Sequence, residues 1–249
     1  MALGNVSRGT GGNAVAATTI TLSPSDNFAS NSLAVLVIAY DNSGTSGADP
    51  YSAISDSLGN TWTSRVNTLN DPGAADAGNV LRIFTSQMNA APLRTDTVIT
   101  VNFGTFSVTA KAWTLTEVTA AVTSYAGYLA TATGATGTSV SPTITSSSIT
   151  TPRVILGGLS VQYGTEEVIT ADTDTSSGSW STQQTAAYGS TTSGISVSSQ
   201  VKTTNATATQ TFNPTLGTSA TWAIGWISIS ETAYTAEKTY PYTGGGYYG

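Results

Sequence analysis

The chain has 249 residues, a net charge of −6, eight Lys+Arg, fourteen Asp+Glu, and neither histidine nor cysteine. Without imidazole or thiolate there is no Ser-His-Asp or Cys-His triad, no His-bearing metal cluster and no proton shuttle near neutral pH, so no enzyme and no cofactor are expected. Charged residues are 9% of the chain against roughly 25% in an average soluble protein, so hydroxyls and amides must carry the polar surface.

Partners narrow on the same grounds. Arg8, Arg65, Arg82, Arg94, Lys111, Arg153, Lys202 and Lys238 are dispersed, which argues against a phosphate-tracking groove and a nucleic-acid partner. The longest apolar run, Leu33 to Tyr40, is far shorter than the roughly 20 residues a membrane helix needs. Met1 to Thr10 leads into Gly11 to Ala17, small residues interrupted by Asn13, so a cleaved secretion peptide is not expected.

Taken in chain order, residues 1–13 hold Gly4, Gly9, Gly11 and Gly12 without periodicity and read as an irregular N-terminal arm. Residues 14–235 read as a succession of strands. Thr18 to Leu22, Thr97 to Phe103 and Phe106 to Thr116 alternate apolar and hydroxyl residues with period two. Leu33 to Tyr40 and Val154 to Val161 are continuously apolar, as strands covered on both faces are. Further strands are expected at Tyr51–Ser55, Thr61–Val66, Val80–Gln87, Thr143–Thr150, Ser179–Ala186, Ile195–Val201, Thr207–Phe212 and Thr221–Ser230. No helix-period stretch of useful length occurs. Residues 236–249 carry Tyr240, Tyr242, Tyr247 and Tyr248 among glycines and read as a C-terminal arm whose rings make subunit contacts. The expected fold is an all-β, single antiparallel β-sandwich of jelly-roll type with irregular arms.

The two halves echo each other. Leu33–Tyr40, Thr61-Trp62-Thr63, Leu81–Phe84, Thr97–Phe103 and a closing strand with Trp113 are followed by Val154–Tyr163, Ser179-Trp180-Ser181, Ser196–Ser199, Thr207–Phe212 and a closing strand with Trp226. A duplication would give this order, and so would the ordinary monotony of an all-β chain. The expected core comprises Val35, Val37, Ile54, Trp62, Ile83, Val101, Trp113, Leu115, Val154, Leu156, Ile224 and Trp226.

Candidate sites are few. Asp172 and Asp174 offer oxygens at alternate positions as calcium loops do, but Gly178 falls one place late and no glutamate closes the loop, so they are weak candidates and no metal site is assigned. Asp41 and Asp49 bracket a Gly/Ser-rich loop which, with Trp180, is the candidate ligand edge. Glu166 and Glu167 are adjacent, so on a strand they point to opposite faces and cannot be the carboxylate pair of a glycosidase.

The most specific local signal is Ser55-Asp56-Ser57-Leu58-Gly59-Asn60-Thr61-Trp62-Thr63, a turn between two strands in which Asp56 accepts backbone amides and Gly59-Asn60 tolerate positive φ. It resembles the S-D-S-x-G-N-T-[WY]-T hairpin of β-sandwich modules in bacteriophage virion proteins and large bacterial surface proteins. The strand order over residues 14–232 is similar to those modules too. The resemblance implies a non-enzymatic virion protein of capsid decoration or cement type, located in the virion, with other copies of itself and a capsid or tail protein as partners. A tail-fibre or surface adhesin binding surface glycans is the alternative, and a secreted carbohydrate-active enzyme a remote one.

Overall fold

The computed structural model describes residues 3–41, 49–73, 78–88, 91–119, 127–145, 153–163, 168–189, 194–204 and 208–232. Their strands are β1 Gly4–Asn13, β2 Thr19–Leu22, β3 Ser32–Asp41, β4 Ala53–Asp56, β5 Trp62–Asn70, β6 Asn79–Met88, β7 Ile99–Asn102, β8 Lys111–Thr119 and β9 Gly127–Ser139. There follow β10 Ile144–Thr145, β11 Arg153–Tyr163, β12 Ile169–Thr170, β13 Gln184–Tyr188, β14 Gly194–Thr204, β15 Thr211–Phe212, β16 Thr215–Leu216 and β17 Ala220–Thr232. Every pairing between named strands is antiparallel, and the described residues contain no helix.

Two five-stranded sheets, β1-β8-β3-β6-β5 and β13-β14-β11-β17-β9, face each other as the two leaves of an antiparallel sandwich. Each has a second cover. The three-stranded sheet β2-β7-β4 lies over the outer face of the first, and the ladders β10-β15 and β12-β16 over the outer face of the second. With β1-β8-β3-β6 opposed by β2-β7-β4, the first half has jelly-roll order, except that β5 joins β6 in the large sheet. Counted from its own first strand, β9, the second half repeats that order.

Covering on both faces explains the continuous apolar runs. Along β3, Leu33, Val35, Val37 and Ala39 enter the core between the large sheets, where they meet Val154, Leu156, Val197 and Ile227. Ala34, Leu36, Ile38 and Tyr40 enter a second core under the three-stranded sheet with Ile20, Phe84, Ile99 and Val101. A third core holds Ile155, Leu159, Phe212, Trp222, Ile224 and Trp226. Polar side chains also tie the halves: Asn70 Nδ2 donates to the carbonyls of Gly137 and Trp222 at 2.8 Å each, and Thr114 and Ser199 share a hydroxyl bond of 2.7 Å.

The N-terminal segment corrects the sequence reading. Gly4–Asn13 is not an irregular arm but an edge strand paired along β8, with a register shift between Ser7 and Gly9. Its glycines, which hid the strand, make the pairing possible: the Trp113 indole lies across the strand, and a Cβ on Gly11 would stand 2.9 Å from Trp113 Cζ2. Strand β9, also absent from the expectations, works alike, since a Cβ on Gly137 would stand 2.4 Å from Trp222 Cζ2. Phe106 to Ala110 precedes β8 instead of extending it, and the strand expected at 143–150 shortens to Ile144–Thr145 within the described residues.

Candidate functional site

The hairpin turn occurs twice. Asp56 stands six residues before Trp62, and Asp174 six before Trp180. Asp56 Oδ1 accepts the amide of Leu58 at 2.9 Å, and Asp174 Oδ1 accepts that of Ser176 at 2.9 Å. Positive φ falls at matching places, Gly59 (75°) and Ser177 (62°). Trp62 lies opposite Ser86 of β6, and Trp180 bridges Lys202 of β14. The echo in the sequence pairs the two tryptophans, and the structure adds the aspartate six residues upstream of each, with Asp174 serving as a turn acceptor like Asp56.

From these anchors the register carries each row of the first half onto the second. The row Leu69, Val80, Tyr40, Lys111 corresponds to Ala187, Ser196, Val161, Trp222. The next outward-facing row, Asn67, Arg82, Ile38, Trp113, corresponds to Thr185, Ser198, Leu159, Ile224.

In the first half those rows are filled by a charged cluster. Arg82 Nε donates to Asp49 Oδ2 and to Tyr40 Oη, both at 3.0 Å, and its guanidinium lies 3.9 Å from the Tyr51 ring centre. Tyr40 Oη donates to Asp49 Oδ1 at 2.7 Å. Burial, reinforced by the Asp49 carboxylate, holds the Tyr40 phenol well above its ordinary pKa, and burial raises Tyr51 as well. A second cluster fastens β1: Arg8 Nε donates to Glu117 Oε2 at 2.7 Å, Arg8 Nη1 to Asp26 Oδ2 at 3.1 Å, and Glu117 Oε1 accepts the Ala29 amide at 2.7 Å. Lys111 is fully buried with its ammonium on the carbonyls of Val15 and Val108, at 2.8 and 2.5 Å, and burial lowers its pKa to about 8.

The expected site residues occupy structural positions. Asp172 is buried, its Oδ1 accepting the Asp174 amide and its Oδ2 the Asn213 amide, each at 2.8 Å. Asp174 Oδ2 takes the Lys202 ammonium at 3.0 Å; the Ser176 amide, then Lys202, bring this carboxyl to a pKa of about 2. Among the described residues no three His, Cys, Asp or Glu side chains gather as a metal set. Trp180 packs on Phe212 at 4.9 Å between ring centres, under the Lys202 ammonium, and its Nε1 is buried without an acceptor. Asp41 is buried at the end of β3, and Asp49 belongs to the Arg82 cluster. Tyr240, Tyr242, Tyr247 and Tyr248, and the Glu166-Glu167 pair, lie outside the described residues.

What sequence reasoning missed is a cleft. Between β12 and the β13–β14 edge of the second half lies a half-open space of about 450 Å³, walled by Gln183, Thr185, Ala187 and Ser196 on one side and Val168 and Ile169 on the other. It exists because small residues stand where the first half has large ones: Ala187 for Leu69, Ser196 for Val80 and Ser198 for Arg82. By the turn alignment Ile169 stands where Tyr51 closes the first half. Gln183 Nε2 donates to Ser198 Oγ at 2.6 Å, while Ser196 Oγ, on a residue 2% exposed, has no hydrogen-bond partner. The signal was present in the period-two serines 196 and 198, polar residues buried on a strand buried almost throughout. No protein-family model, curated protein or solved structure matches this chain.

Proposed function

We propose that the chain is a non-enzymatic structural protein of a bacteriophage virion, of capsid decoration or cement type, which binds neighbouring subunits through sandwich edges and its C-terminal arm. The observation that carries this reading is the use of charge. Glu117, Arg82, Lys111 and Lys202 are buried and Arg8 is half-buried, and each is held by a carboxylate, a hydroxyl or backbone carbonyls that fasten one strand or loop to another. Buried groups so engaged hold a scaffold together and are not presented to a substrate. The aspartate-tryptophan turn that carries the resemblance recurs in the second half as a structural turn, Asp56 and Asp174 each accepting a backbone amide.

The test is made on particles. Antibody against the folded chain should label particles purified from cells that carry its gene, at regular positions on the shell. Deleting residues 236–249 should leave the melting temperature unchanged and lower the copies per particle several-fold. Particles that lack the chain altogether overturn the proposal.

A further inference from the structure

We propose that the cleft between β12 and the β13–β14 edge binds a neutral saccharide of one or two rings. This goes beyond the virion reading and does not depend on it. Its volume, about 450 Å³, falls in the range of small-molecule sites, roughly 300–1,000 Å³, and far exceeds the roughly 30 Å³ share of one water. Its chemistry selects the ligand. The described lining residues are uncharged, so they offer an ionic ligand no counter-charge for the hydration it would lose. A wholly apolar ligand would strand the Gln183 amide and the Thr185 hydroxyl.

What suits both walls is a molecule with an apolar face and a ring of hydroxyls. Val168 and Ile169 meet the C–H face of a pyranose, while Thr185 and the Gln183 amide bond its hydroxyls. The first half is an internal control, since the same rows there are packed by Leu69, Val80, Arg82 and Tyr51. Ligand capacity therefore belongs to the second half.

The experiment titrates the full chain with methyl glycosides of neutral hexoses and N-acetylhexosamines, and with neutral polysaccharides, by saturation-transfer NMR and calorimetry. Two variants restore the first half's residues, Ala187→Leu and Ser196→Val, and a third, Thr185→Val, changes only the exposed wall. Saturable binding at millimolar sugar, weakened about tenfold or more by each variant that keeps its melting temperature, supports the proposal. Binding of methyl glycosides assigns the cleft to free sugars or chain ends; binding confined to polysaccharides assigns it to a glycan surface. No saturable binding by the wild-type chain, or binding that Thr185→Val and the folded filling variants leave intact, overturns it.

Discussion

In the first half the carboxylate six residues ahead of the tryptophan holds the indole itself, Trp62 Nε1 donating to Asp56 Oδ2 at 2.8 Å. In the second, Asp174 gives that oxygen to Lys202, and the Trp180 indole nitrogen is left without a partner. Backbone, turn and register are shared, while the residue across the ladder, Ser86 in one half and Lys202 in the other, decides where the carboxylate points. The same contrast recurs at the outer edge. Arg82 and Tyr51 fill the space beneath the outer cover in the first half, and in the second Ser198 takes the place of Arg82 and Ile169 that of Tyr51 beside an open cleft. One backbone plan thus supports a packed and a receptive version, and the choice between them lies in a handful of side chains.

Three measurements would break or sharpen that contrast. The largest effect is expected at the closing strands. Glu117 is fully buried and paired with Arg8, so Glu117→Ala should cost about 3–5 kcal/mol by leaving the guanidinium without its buried partner. Its register counterpart, Ser228, takes only a 3.3 Å bond from Arg153, so Ser228→Ala should cost about 1 kcal/mol or less. Equal costs in urea unfolding would show that the ion pair does not fasten β1.

The next effect separates the tryptophans. Trp62→Phe removes a bond to a carboxylate and should cost about 1.5–3 kcal/mol. Trp180→Phe removes no hydrogen bond, only ring volume and part of the Lys202 contact, and should cost less than about 1.5 kcal/mol. The reverse order in thermal unfolding would refute the assignment of the two indoles.

The smallest effect is one of slope. Lys111 occupies the row position of Trp222, and its pKa falls from 10.5 to about 8 on folding. Between those values the unfolded chain keeps a proton that the folded chain has released, so this group's contribution to stability rises with pH across that window, and below pH 8 its buried charge is unfavourable. Lys111→Met should flatten the rise in the urea midpoint between pH 8 and 9.5. That range stays below the raised Tyr40 and Tyr51 titrations, which act in the opposite direction. Parallel curves for the two proteins would show that the burial of Lys111 does not set the alkaline limb.

Most of the sheet plan was legible because large apolar residues and period-two alternation report burial directly, as along Leu33–Tyr40 and Val154–Val161. The echo between halves was legible for the same reason. Strands β1 and β9 were not, because their role is to lie under an indole from the neighbouring strand: Gly11 and Gly137 are chosen for the absence of a side chain, and that signature also marks a loop. The cleft was hidden for a related reason. Ser196, Ser198 and Ala187 acquire meaning only beside Val80, Arg82 and Leu69, and that comparison needs register, which hydrogen bonding settles and composition does not.

The core shared by the two large sheets has a consequence during synthesis. When the first half has left the ribosome, Leu33, Val35, Val37, Leu81 and Ile83 have only the second half to cover them, and that half is still being made. Until β11, β14 and β17 arrive, the nascent chain carries an apolar face broad enough to recruit a chaperone or another nascent copy. Yield in the cell is therefore tied to the rate at which residues beyond Arg153 follow those before Thr119, and slow codons between the halves should lower soluble expression more than the same codons placed after β17.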